Sequence, residues 1–154
     1  MDMNRMTIKL QEALQSASAL AMRRGHQGID VEHLLLDLME QEGGIAGSLF
    51  EQAGVSPAAV RQAAEQALTK VAQVHGPGAA PGQIHLTPRL GSLLTKAEDR
   101  MKELRDEFVS VEHIILAMVE EGGIFRRLNL THERLLTALQ QVRGNQRVTS
   151  QDPE

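Results

Sequence analysis

The line "VEHIILAMVEEGGI", residues 111–124, stands 80 residues after "VEHLLLDLMEQEGGI", residues 31–45. The match runs backwards at the same offset without a gap. Thr7 meets Thr87, Lys9 meets Arg89, Leu10 meets Leu90, Leu14 meets Leu94, Ala17 meets Ala97 and Ile29 meets Val109, as far back as Met6 with Leu86. Forwards, the second copy shortens. Gly43-Gly44-Ile45 aligns with Gly122-Gly123-Ile124 at an offset of 79, and Val55-Ser56 with Leu130-Thr131 at 75. A register held this long means two copies of one unit.

Each unit reads as four helices. Leu10, Ala13, Leu14, Ala17 and Ala21 recur at helical spacing, as do Leu90, Leu93, Leu94, Ala97, Met101 and Leu104. Thr87-Pro88 and Ser56-Pro57 are N-caps followed by proline at the first helical position, and the repeat gives Thr7 and Thr131 the same role. Gly25 is a stop for the first helix. Asp30 and Ser110 cap the second helix, and Glu32 and Glu112 sit in its first turn, where a carboxylate suits the helix dipole. Ile29 with Leu34, and Val109 with Ile114, have hydrophobic-staple spacing. "LLLDLM" and "IILAMV" are apolar almost all round, so this helix is expected to be the most buried of each unit. A short third helix over 45–53 and 124–128 follows the Gly-Gly pair, and a fourth carries Val60, Ala63, Ala64, Ala67, Leu68 and Val71, matched by Leu135, Ala138, Leu139 and Val142.

The expected fold is therefore all-α: two pseudo-twofold four-helix repeats packed as one eight-helix domain. Residues 1–75 form the first repeat and 86–143 the second. A linker at 76–85 joins them, because Gly76, Pro77, Gly78, Pro81 and Gly82 cannot continue a helix. Residues 144–154, polar and without period, read as a tail or linker.

Composition excludes several functions. There is no cysteine, hence no disulfide framework and no thiolate chemistry, which suits the cytoplasm. No apolar run reaches the roughly 20 residues of a membrane span, and "MDMNRMTIKL" has no signal-peptide core. Net charge is -4, the basic residues are scattered and there are only 3 phenylalanines among the aromatics, so nucleic-acid binding is disfavoured. "HERLL" at His132 has Leu136 where a zinc-binding helix needs its second histidine. The histidines, His33 and His113 included, read as solvated or capping side chains, and no metal site is expected. No phosphate-binding loop and no nucleophile elbow occur, although spacing leaves a Ser-His-Asp triad open. A junction between two repeats leaves a groove suited to a peptide or partner.

The doubled VEH-(I/L)-(I/L)-L, its Gly-Gly-Ile, the Thr-led first helix and the Gly/Pro hinge resemble the Clp amino-terminal domain, the double four-helix cap of the Clp ATPases. The resemblance covers essentially the whole chain, and "VRGNQRVTSQDPE" is most similar to the ClpB-type disaggregase branch, just ahead of its first ATPase module. It implies a substrate-binding domain without catalysis, which engages exposed apolar segments of unfolded or aggregated proteins at the mouth of a hexameric ring. ATP is then expected only in absent ATPase modules, and the isolated domain is expected to be monomeric. The substrate-binding positions it implies are Thr7, Asp106, Phe108, Val109 and Glu112, with Phe108 and Val109 as an apolar floor and the two carboxylates at its rim. Each has a plainer reading: a cap at Thr7, a solvated loop residue at Asp106, a dipole partner at Glu112, and core at Phe108 and Val109. Arg100 and His113 stand where that branch often has apolar residues. The paired VEH motifs also resemble the ClpC/ClpA-type branch, whose domain docks adaptors, so adaptor docking is the alternative.

Overall fold

The computed structural model describes residues 2–73, 85–144 and 146–152. Eight α-helices follow in order: α1 (Ile8–Arg23), α2 (Val31–Glu40), α3 (Ala46–Gln52), α4 (Pro57–Leu68), α5 (Pro88–Glu103), α6 (Val111–Glu121), α7 (Ile124–Arg127) and α8 (His132–Arg143). A 3-10 turn precedes α1, and the short strands β1 (Gly28–Ile29) and β2 (His85–Leu86) pair in parallel. The expected linker falls at 76–84, outside the described residues, except for His85, which opens β2.

Caps place the helices. Thr7, Ser56, Thr87 and Thr131 each accept a hydrogen bond from the backbone N–H three residues on. Helices α1 and α5 end alike. The N–H of His26 returns to the Ala21 carbonyl and that of Asp106 to Met101, each with a second bond one step inside, from Gly25 to Met22 and from Arg105 to Lys102. This ending needs a left-handed residue. The first copy supplies Gly25 (φ 72°), whereas the second uses Arg105 (φ 60°), which strains an L-residue.

Helices α2 and α6 form the centre, with Val31 to Leu36 and Val111 to Val119 all buried. Packing crosses between repeats as well as within them: α3 lies on α8 and α4 on α7, and Phe50 stacks on Phe125 at 5.7 Å between ring centroids. The core is one continuous cluster rather than two.

The repeats also trade backbone hydrogen bonds. Thr87 N–H donates to the Ile29 carbonyl (3.1 Å) and Thr7 N–H to the Val109 carbonyl (2.9 Å), the same bond at both ends of the offset. His85 N–H donates to Gln27 at the first joint, and Val109 N–H to Arg5 at the second. Gly28 is required at the first joint, because a Cβ there would lie 2.8 Å from the Thr87 methyl group.

The polar tail departs from expectation. Val148 is 5% exposed, its N–H donates to Asp106 and its carbonyl accepts from Glu107, while the Gln151 carbonyl accepts the Ile8 N–H. One buried apolar residue and three hydrogen bonds to the body of the domain dock a segment that hydropathy alone reads as a polar tail.

Two stability changes test this account. Thr87→Ala removes the α5 cap and the Thr87 hydroxyl's bond to Asp30 (3.0 Å), and is expected to cost roughly 1–2 kcal/mol in urea melts. Arg105→Gly relieves the left-handed strain and is expected to raise stability by about 0.5–1 kcal/mol, read as a higher urea midpoint.

Candidate functional site

His33 and His113 each occupy the third position of their helix and accept, on Nδ1, the backbone N–H of the N-cap residue: Asp30 at 2.9 Å and Ser110 at 2.8 Å. Both rings are fully buried, so the capping half of the sequence reading holds and the solvated half does not. With Nδ1 an acceptor, the ring proton sits on Nε2. In the second repeat it points at Asp106 Oδ2, 2.6 Å away.

Asp106 is not a solvated loop residue. Its buried carboxylate also accepts from Arg143 (2.9 and 3.0 Å) and from the Val148 N–H (2.9 Å). Burial pushes its pKa up, but the hydrogen bonds from His113, Arg143 and Val148 outweigh it and hold the group down at about 2. Arg143 reaches on to Glu112 (3.1 Å), whose other oxygen accepts the Ser110 hydroxyl in a short contact. The ring of contacts closes: Ser110, His113, Asp106, Arg143, Glu112 and back to Ser110.

This ring contains Ser, His and Asp but is not a catalytic triad. His113 Nδ1 already accepts a backbone N–H, so it has no lone pair for the Ser110 hydroxyl 3.2 Å away, and that hydroxyl is committed to Glu112. All three residues are buried.

Beside the ring lies a groove of about 350 Å³. Thr7 and Lys9 at the start of α1, Ile45 and Ser48 at α3, Ser110 to Glu112 at α6, Val142 and Arg143 at the end of α8, and Gln146 to Val148 of the exit segment line it. Its apolar surface comes from Ile45, Val111, Val142 and Val148, with Val142 37% exposed. Of the five positions implied by resemblance, Thr7 and Glu112 line the groove. Asp106 lies behind it holding Arg143, Val109 is fully buried at the second joint, and Phe108 is half-buried; none of these three lines the groove. Glu112 is thus the one expected rim carboxylate on this groove, and its apolar lining comes from residues other than Phe108 and Val109. Ile45, Val142, Arg143 and Val148 were missed, because nothing in spacing brings the end of α8 to the start of α1.

The equivalent place in the other half is shut. There Arg89, where the first copy has Lys9, grips Glu32 with both nitrogens (2.8 and 2.9 Å) and Glu121 (2.7 and 2.9 Å). Under it Val31, Leu35, Met118, Ile124 and Phe125 close with no room for a water molecule. Lys9, one charge on a flexible stem, instead reaches the Glu42 carbonyl (3.3 Å) and leaves Glu112 to Arg143.

Comparison with known proteins bears on this arrangement. The profile of the Clp repeat (R) N-terminal domain matches residues 5–132. The chaperone protein ClpB of Bacillus cereus is 45% identical over 158 residues, which take in 100% of this chain but only 18% of that protein. Among solved structures, the Hsp104 N-terminal domain from Candida albicans superposes with a TM-score of 0.80 at 21% identity, covering 95% of this chain and 96% of the other. A complex of the ClpV N-domain with a VipB peptide gives 0.74 at 20%, covering 90% and 87%. Among the described residues no helix is long and apolar enough to cross a membrane.

Arg143→Ala leaves two buried carboxylates facing each other and is expected to cost roughly 3 kcal/mol or more at neutral pH. The folded pKa of Asp106 lies below its ordinary 3.8, so its contribution is present above that value and fades as pH falls towards 2. Urea melts at neutral pH and at about pH 3 are expected to show the gap between wild type and Arg143→Ala narrowing with acid.

Proposed function

This chain belongs to the Clp repeat N-terminal domain family, and from that premise we propose that it is the polypeptide-capturing module of a ClpB-type, ATP-dependent disaggregase. It binds exposed apolar segments of unfolded or aggregated proteins and does no chemistry itself. The ATP-hydrolysing modules and the hexameric assembly belong to the remainder of a longer protein, because the chain spans 18% of the length of its ClpB relative.

The observation that carries this reading is the open groove at one of two pseudo-equivalent junctions. Ile45, Val111, Val142 and Val148 offer apolar contact there, while Thr7 and Glu112 stand at its lip. Asp106 serves the site by holding Arg143, and Val109 by tying the start of α1 against α6. Phe108, half-buried beside them, is the remaining candidate contact. Because Arg143 neutralises both carboxylates in part, the groove selects on apolar surface more than on charge. The ClpV N-domain, of the same fold, has been solved with a peptide. A small groove that must order a flexible chain binds weakly, and weak capture suits a module that passes its catch on.

Titration of the labelled domain with a denatured model protein is expected to move the resonances of Thr7, Ile45, Val111 and Val142. Val142→Glu places a charge on the apolar wall and is expected to weaken binding about five- to tenfold, with little change in stability because the side chain is already 37% exposed. Shifts mapping to the outer face of α4 would refute the groove. Binding of a folded adaptor, but not of denatured protein, would move the assignment to adaptor docking.

A further inference from the structure

The two buried histidines differ in what they hold. His113 donates to Asp106, whereas His33, 80 residues earlier, meets His26, which stands where the second copy has Asp106. His26 Nδ1 and His33 Nε2 are 2.8 Å apart, with His26 4% exposed and His33 fully buried.

The proton count of this pair is closed. His33 Nδ1 accepts the Asp30 N–H, so His33 carries its proton on Nε2 and donates it to His26 Nδ1. His26 then carries its own proton on Nε2. Both basic lone pairs are in use, and no further proton can bind either ring without breaking one of the two hydrogen bonds. In the second repeat the Nε2 proton goes to the Asp106 carboxylate instead of to a second imidazole.

Between His26 and the α2 cap lie Gln27 to Ile29, the segment whose carbonyls receive the His85 and Thr87 amides of the other repeat. We propose that the His26–His33 pair is an acid-release catch on this joint: proton uptake breaks the pair, frees residues 27–29 and loosens β1 from β2, while the Asp106 joint stays shut.

The charged neighbours favour the unprotonated pair. Arg24, at the end of α1, is turned towards Glu65 of α4 in a two-pronged ion pair (2.7 and 2.9 Å), and still lowers the basicity of both rings. Asp30 acts the other way on His33, but it is shared with the Thr87 hydroxyl and lies 3.5 Å from Arg89 of α5. Asp37 of α2 acts on Arg24, and the exposed His85 of β2 lies within the joint itself. Burial, then His26, push His33 down to about 4, and burial lowers His26 as well. The closed joint therefore holds fewer protons than the open one, and opening is favoured as pH falls below the ordinary imidazole value of 6.5 towards 4.

Amide exchange in the 154-residue chain reads both joints at once. Between about pH 6.5 and pH 5.5, protection of the His85 and Thr87 amides, corrected for intrinsic exchange, is expected to fall about fivefold for one proton taken up. The Thr7 amide, the match of Thr87, and the Val109 amide at the same Asp106 joint are expected to change little. His26→Asp copies the second repeat and is expected to abolish the difference. His26→Asn, a neutral acceptor for His33, covers the case that a buried carboxylate prevents folding, and is expected to shrink the drop. Imidazole nitrogen spectra are expected to show His33 with a bare Nδ1. Equal pH dependence at both joints, an undiminished drop in the His26 variants, or loss of the drop in His85→Gln would each overturn the proposal. None of these outcomes depends on whether the groove binds polypeptide.

Discussion

One imidazole in each repeat ties together pieces of backbone that are otherwise independent. Its Nδ1 caps the central helix, and its Nε2 reaches back to the residue that ends the preceding helix. The loop it spans carries the carbonyl that pairs with the other repeat. Helix start, helix end and inter-repeat joint thus share one fully buried side chain. A buried ring with both nitrogens committed has a single low-energy orientation, which fixes the angle between the first and second helices of each unit. The α1–α2 and α5–α6 packing follows, and the crossed contacts of α3 with α8 and α4 with α7 complete the core.

Much of this was legible in the sequence, because it is local. The Thr and Ser caps, Gly25, and the all-round apolar α2 and α6 are each written within a few residues, and the repeat supplied a second copy of each signal except Gly25, whose place Arg105 takes. What escaped is long-range. Nothing local says that Arg143 closes on Asp106 and Glu112, or that Val148 folds back into the core. Two mismatches inside the repeat were visible as letters, His26 against Asp106 and Lys9 against Arg89, but their meaning needed the distances. Of the residues carried over by resemblance, Thr7 and Glu112 line the groove, while Asp106 and Val109 lie behind it.

The groove itself is a matter of one cation. Where Arg89 spans two carboxylates with its fork, the junction closes over an apolar floor. Where Lys9 stands, the stem is free to swing aside, the carboxylates turn to Arg143, and space remains. The planar guanidinium can hold two partners at fixed angles, which the ammonium cannot.

The traded backbone bonds have a further meaning. Thr7 to Val109 and Thr87 to Ile29 are one contact and its mate under a twofold rotation, with the same patch used on both sides. That is the geometry of an isologous dimer, here carried on a single chain. Two separate copies of one repeat would be obliged to treat both junctions alike, opening both grooves or closing both. Covalent joining lifts that obligation. Each half became free to drift, one towards arginine and closure, the other towards lysine and an open groove, so the asymmetry that leaves one junction open and the other closed follows from the joining.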